Sequence, residues 1–296
     1  MNLCILTKGL ARFGYHQVKN LMKLFLGYPL TTPSLGSVTL DKDDLAIARH
    51  QLKERNSWFS FDVVREYENT FAQWNGSKYA FAFMGGRVAL SAAIYALDLK
   101  PGDEVILPGY TCVVVPNAFH YAGVKTVYSD IELDTYGLDA SLIENKISQN
   151  TKAVLLHHLY GLVCRDYEQI IEIARKNGLY VIEDCAQSTG AEFKQRKIGN
   201  LGDIAIYSSE QSKIFTTIQG GIATTNNDFF AKRLKEFYEQ APYPDISLIN
   251  KQLYNVIINY YLYKDSQRWW KGDLIRLIWN NKIIISTTKE EEQGIK

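Results

Sequence analysis

Short apolar runs alternate with longer amphipathic stretches along most of this chain. Tyr79–Phe83, Glu104–Leu107, Lys125–Tyr128, Lys152–His157, Leu179–Glu183 and Asp203–Tyr207 each read as a strand, several of them rich in Val, Ile or Leu. Between them, Pro108–Gly123 reads as a loop and helix, and Asp139–Lys146 and Arg165–Asn177 as helices. An Ala-rich helical run follows Gly85-Gly86. Ahead of this pattern, Asp41 to about Asn75 carries acidic starts and spaced apolar residues that predict two helices. The second, Phe61–Trp74, sets Val64, Tyr67, Phe71 and Trp74 on roughly one face. Helices alternating with buried-type strands predict an α/β domain on a mainly parallel sheet. In such sheets ligands gather at the carboxyl ends of the strands. The Gly85-Gly86 turn, Asp184 and Ser208 all fall at such ends.

Composition narrows the class. The chain has 296 residues, enough for one large or two ordinary domains. A net charge of +1 without a basic block speaks against nucleic-acid binding. Cys4, Cys112, Cys164 and Cys185 are scattered, with no CxxC spacing; they fit a reducing compartment and argue against a disulfide framework or a zinc site. With no signal-peptide pattern and no apolar run long enough to span a membrane, the expectation is a soluble cytoplasmic protein.

The candidate chemistry centres on Val181–Thr224. A strand ends in Glu183 and Asp184, and Lys213 follows just past the next strand end. Taken singly, Lys213 reads as a solvated loop lysine and Asp184 as a helix cap. Together they suit pyridoxal phosphate (PLP), whose aldehyde needs a lysine amine and whose ring nitrogen needs an acidic partner. Gly85-Gly86 before a helix reads as a tight turn or as a phosphate site at a helix N-terminus. No GxGxxG is present, so a nicotinamide fingerprint is not supported. Adjacent strand residues point to opposite faces, so His157 and His158 do not form a metal pair. One reading is a strand-end histidine near a ligand, the other a structural histidine. Cys185 has no nucleophile constellation around it and reads as packing. The Trp-rich QRWWKGDLIRLIW reads as core-covering helix or exposed face, with a membrane surface as the alternative.

GGRVAL, PGDEVILPGYT, HHLYG, IEDCAQS, GD–YSS–SK and TT–GG occur in one order over about residues 40–230. Together they resemble the DegT/DnrJ/StrS-type sugar aminotransferases, PLP-dependent enzymes of fold type I. The resemblance implies transfer of an amino group, from a donor such as glutamate or glutamine, to a keto group on a nucleotide-linked sugar. It implies a homodimer, with sites built at the subunit interface. By the same resemblance Lys213 is the Schiff-base lysine and proton shuttle, and Asp184 the partner of the ring nitrogen. Gln187 stands near the cofactor's phenolic oxygen; Gly86, Arg87 and Ser208 hold its phosphate. Cys112 takes the ring-stacking position and His158 belongs to the cofactor site.

Some positions depart from the family pattern. Arg87 stands where Ser or Thr is usual, Cys112 where an aromatic residue stacks, Ser209-Glu210 where Phe-His precedes the lysine, and Gln219 where an acidic residue precedes the Gly pair. These mark a divergent subgroup. Past Asn227, aromatic-rich helical segments (Gln252–Lys264, Asp273–Ile284) lead to the charged STTKEEEQGIK. The expected organisation is an N-terminal arm (1–40), a PLP-binding large domain (41–240) and a helical extension (241–296) that stops before the family's small domain. The competing expectation is a catalytically silent or split-gene protein that needs a partner chain. PLP-dependent sugar dehydration is disfavoured, because relatives that carry it out typically lack the lysine.

Overall fold

The computed structural model describes residues 40–210 and 212–263, together with Met22 and Leu26. The arm over 1–39, the QRWWKGDLIRLIW stretch and the charged tail therefore lie outside the described residues. The chain divides into two compact units, one of residues 1–54 and 245–285, the other of residues 55–244 and 286–296.

In the first unit, helix α1 (Lys42–Lys53) starts at a reciprocal capping box. The Asp41 carboxylate accepts from the N–H groups of Asp43 and Asp44, and Asp44 accepts from the Asp41 N–H. Two otherwise unpaired helix donors are satisfied and the acidic groups sit at the positive end of the dipole. It buries Leu45 and Ala48 and packs on a long helix, Ile246–Tyr263, with Arg49 stacked over the Tyr261 ring.

The second unit is built on a seven-stranded sheet. Its elements run, in chain order, α2 (Phe61–Asn75), β1 (Tyr79–Phe83), α3 (Gly86–Ala96), β2 (Glu104–Pro108), α4 (Val114–Tyr121), β3 (Lys125–Ser129), α5 (Ala140–Ile143), β4 (Thr151–His157), α6 (Tyr167–Lys176) and β5 (Tyr180–Asp184). A two-residue hairpin, β6 (Glu192–Phe193) with β7 (Arg196–Lys197), precedes β8 (Ile204–Ser208), β9 (Gly221–Thr225) and α7 (Asp228–Glu239). The long helix of the first unit is α8. The sheet order is β1-β9-β8-β5-β4-β2-β3. β8, β5, β4, β2 and β3 are parallel, and β9 pairs antiparallel with β8 and with β1. Over the described residues the strand and helix expectations therefore hold, usually to within a residue or two at each end, while the helix expected over Asp273–Ile284 lies outside them.

Side chains alternate across the sheet, and each parity feeds a separate core. Ala153, Leu155, Ile182, Ile204, Ile206 and Ala223 pack with the Ala-rich face of α3 and with Phe119, Phe230 and Leu234. Val154, Leu156, Val181, Ala205, Tyr207 and Ile222 pack on the other side with Phe71 of α2 and with Tyr167, Ile170 and Ala174 of α6. Helices thus cover both faces, which is why these strands read as near-continuous apolar runs.

Candidate active site at the carboxyl ends of the parallel strands

Strand parity selects what lines the site. Counting on from the α3-side core residues, His157 follows Leu155, Asp184 follows Ile182, and Ser208 follows Ile206, each by two positions. All three end their strands on the face that carries α3. Asp184 is almost fully buried, and its Oδ1 accepts from the Ala186 N–H at 3.0 Å. His157, equally buried, sets Nε2 3.7 Å from Asp184 Oδ2, while its Nδ1 lies 3.0 Å from Thr111 Oγ1. Burial lowers the His157 pKa, Asp184 pulls it back up, and the neighbouring His158 and Lys213 lower it further; the net shift is downward. His157 is thus a neutral imidazole at pH 7.

Lys213 is half-buried and sits on a turn just beyond β8, its N–H donating to the Glu210 carbonyl at 2.8 Å. The Glu210 carboxylate shapes the same turn by accepting from the Ser212 N–H at 2.9 Å and from the Ser212 hydroxyl.

The glycines bring β1, β8 and β9 together. Gly221 pairs with both Phe83 and Ser208, between the ends of β1 and β8. A Cβ on Gly221 would lie 2.3 Å from the Gly85 carbonyl carbon and 2.4 Å from Gly86 N, so only glycine lets the turn before α3 settle on β9. A Cβ on Gly86 would lie 3.1 Å from Ser208 Cβ, which places the Ser208 hydroxyl at the start of α3. No side chain caps α3 at Gly85, and the space beside Gly85 is open. The first N–H groups of an eleven-residue helix, with a buried serine beside them, form an anion cradle.

The remaining expected residues divide. Gln187 is half-buried three positions beyond Asp184, Arg87 is exposed in the first turn of α3, and Cys112 is exposed next to the Thr111 that contacts His157. The His158 ring does not face the Asp184 carboxylate. Its Nδ1 accepts the Cys164 N–H at 3.1 Å, which puts the ring proton on Nε2, and Nε2 faces Glu183 Oε2 at 3.5 Å. The pair splits as strand parity requires, with His157 on the α3 side and His158 on the α6 side. His157 is the histidine that individual residue assignment did not single out, and that parity is the signal that finds it.

His158, Glu183 and Cys185 place ligating atoms within 4.8 Å of one another. The Glu183 carboxylate, however, already accepts from Tyr167, Gly199, Leu201 and Gly202. Those four donors fill the roughly four lone-pair positions a carboxylate offers. Burial also raises the Cys185 thiol well above its ordinary pKa. The cluster is a packed polar network rather than an ion site.

GDP-perosamine synthase of Escherichia coli O157:H7 is 36% identical over 207 residues, which is 69% of this chain and 55% of that protein. Among solved structures, the aminotransferase from Psychrobacter cryohalolentis superposes with a TM-score of 0.64 at 32% identity, covering 70% of this chain and 55% of that one. The E. coli GDP-4-keto-6-deoxy-D-mannose-3-dehydratase with bound hydrated PLP superposes with a TM-score of 0.62 at 26% identity, covering 69% and 54%. The chain spans about half the length of the curated relatives it matches. The fold is that of the PLP-dependent transferases. The DegT/DnrJ/EryC1/StrS aminotransferase family matches residues 39–244, through the strand ends that carry His157, Asp184, Ser208 and Lys213, and the chain belongs to that family.

Proposed function

We propose that this chain carries the cofactor-binding part of a PLP-dependent aminotransferase that transfers an amino group to a nucleotide-linked keto sugar. The amino donor is glutamate or glutamine, and the pathway builds surface polysaccharide or a specialised sugar. The observation that carries the reading is the buried Asp184–His157 pair at the carboxyl ends of β4 and β5, with Lys213 on the turn just past β8. Relatives named for nucleotide-sugar transamination and synthesis support the substrate class.

The residues present fit the cofactor. The α3 N-terminus and the Ser208 hydroxyl would hold its phosphate, with Gly86 and Arg87 in the same turn. Asp184 would face the ring nitrogen, Lys213 would bond the aldehyde, and Gln187 and Cys112 would lie along the ring. When bound, the protonated ring withdraws electrons from the substrate carbon that loses its proton. The chain's own groups supply the rest. The Asp184 carboxylate, with His157 beside it, would accept from the protonated ring nitrogen. The Lys213 amine would move the proton at the substrate carbon. We place the protein in the cytoplasm as a homodimer, as the family pattern implies.

The test is the absorbance spectrum of the purified chain with PLP, before and after borohydride, with mass spectrometry of the trapped peptide. A visible band and a reduced adduct on Lys213 are expected. The Lys213→Ala variant should fold normally and lose both. An adduct that persists in that variant would move the lysine elsewhere, and no adduct in the wild-type chain would sink the cofactor reading.

A further inference from the structure

Glu183 precedes Asp184 on β5 and points to the opposite face of the sheet. It is wholly buried, and its partners come from three separate places. The Gly199 N–H donates to Oε2 at 2.8 Å and the Leu201 N–H to Oε1 at 2.9 Å, with the Gly202 N–H beside it. The Tyr167 hydroxyl of α6 donates to Oε2. His158, just past β4, presents Nε2 at 3.5 Å, and its ring meets Tyr167 edge-on with centroids 4.8 Å apart. Burial pushes the Glu183 carboxyl up, but His158, Tyr167 and the Gly202 N–H outweigh it and hold the carboxyl below its usual range. It is a buried anion with every acceptor position filled.

These tethers are joined directly to the site. Residues 199–202 lead into β8, which ends at Ser208. His158 follows His157, and its own N–H donates to the Asp184 carbonyl at 3.0 Å. Tyr207 of β8 extends the tie by donating to the Ile198 carbonyl at 2.9 Å. A Cβ at Gly199, where φ is +85°, would fall 1.9 Å from the Tyr207 hydroxyl, so the loop runs close against the strand it precedes.

We infer that Glu183 is a positioning residue: from the back of the sheet it ties the ends of β4 and β5 to the segment leading into β8, and so sets Asp184 against His157. Its catalytic meaning rests on the PLP reading of Asp184. The geometric statement does not, because it concerns the protein without cofactor.

The test reads His157 by NMR titration of its ring in the PLP-free chain. The charged or titratable groups bearing on that ring are Asp184, His158 and Lys213, with the Thr111 hydroxyl at Nδ1. Asp184 is the group that raises its pKa, so a loosened β5 end weakens that support. Tyr167→Phe removes one tether without changing charge or ring packing; it should lower the His157 pKa with the circular dichroism spectrum unchanged. Glu183→Gln puts an amide N–H₂ against N–H donors and should lower it further. A residue that merely filled the core would leave this titration where it was. If Glu183→Gln does not fold, Tyr167→Phe decides alone, and a wild-type His157 titration in folded Tyr167→Phe overturns the inference. The readout needs no PLP, so a failed cofactor reading is distinguishable from a failed positioning role.

Discussion

At the residue scale, the site rests on one carboxylate in a dry place. The backbone N–H of Ala186 supports one Asp184 oxygen and the His157 imidazole faces the other. Asp184→Asn keeps the size and loses the charge. With PLP bound, the variant should retain the cofactor yet lose turnover by about 10²-fold or more, since a neutral amide cannot stabilise a protonated ring nitrogen. Without PLP, the same substitution should lower the His157 pKa further, because Asp184 is the group raising it. An unchanged turnover in steady-state assays would remove Asp184 from the ring-nitrogen role. The placement of Asp184 at a strand end and of Lys213 just past the next was legible in the sequence, because the apolar runs mark where the strands stop. The tethering of Glu183 was not. Three of its donors are backbone N–H groups of Gly199, Leu201 and Gly202, and residue type does not report where a backbone N–H points.

At the element scale, apolar runs located the larger strands and parity sorted their ends. The same parity argument that separates His157 from His158 also separates Asp184 from Glu183. The β6–β7 hairpin escaped because two-residue strands carry no periodicity, and the antiparallel pairing of β9 with β8 and β1 leaves no mark on a five-residue run. The glycine pair before β9 was legible, but its reason needed coordinates. Gly221 is the point where the turn before α3 touches the sheet, and no flexible side chain stands there to yield, only the backbone of Gly85 and Gly86. Gly221→Ala should therefore cost at least about 2 kcal/mol, as overpacking against a fixed neighbour does. For a unit of this size that lowers Tm by roughly 4–8 °C. It should also weaken phosphate binding at the α3 N-terminus, read as a poorer inorganic-phosphate or PLP affinity. A Gly221→Ala chain that melts like the wild type would mean that the turn has slack the geometry does not show.

At the scale of the whole molecule, both faces of the site strands carry buried ionisable groups, and their protonation links site geometry to stability. The signs agree. His157 has a folded pKa below its ordinary 6.5, so the unfolded chain binds the proton more readily. Stability on its account is full above about 6.5 and declines as pH falls toward the lowered folded value. Glu183 has a folded pKa below its ordinary 4.5, so its contribution is present above that value and is lost as pH falls through the folded one. Acidification therefore acts in two stages, first at the α3-side histidine and then at the α6-side carboxylate. Urea midpoints of the PLP-free chain should be level between pH 8 and 7, fall from pH 6.5 to 5.5, and fall more steeply below pH 4.5. His157→Gln removes the titrating group, so whatever its absolute stability, it should flatten the upper stage and leave the lower one. A wild-type midpoint that stays level down to pH 5 would show that His157 takes up its proton in place, with Asp184 compensating fully for burial. The order of the two stages follows from the fold: one strand, β5, sends a carboxylate to each face, Asp184 toward His157 and Glu183 toward the donors of the segment before β8.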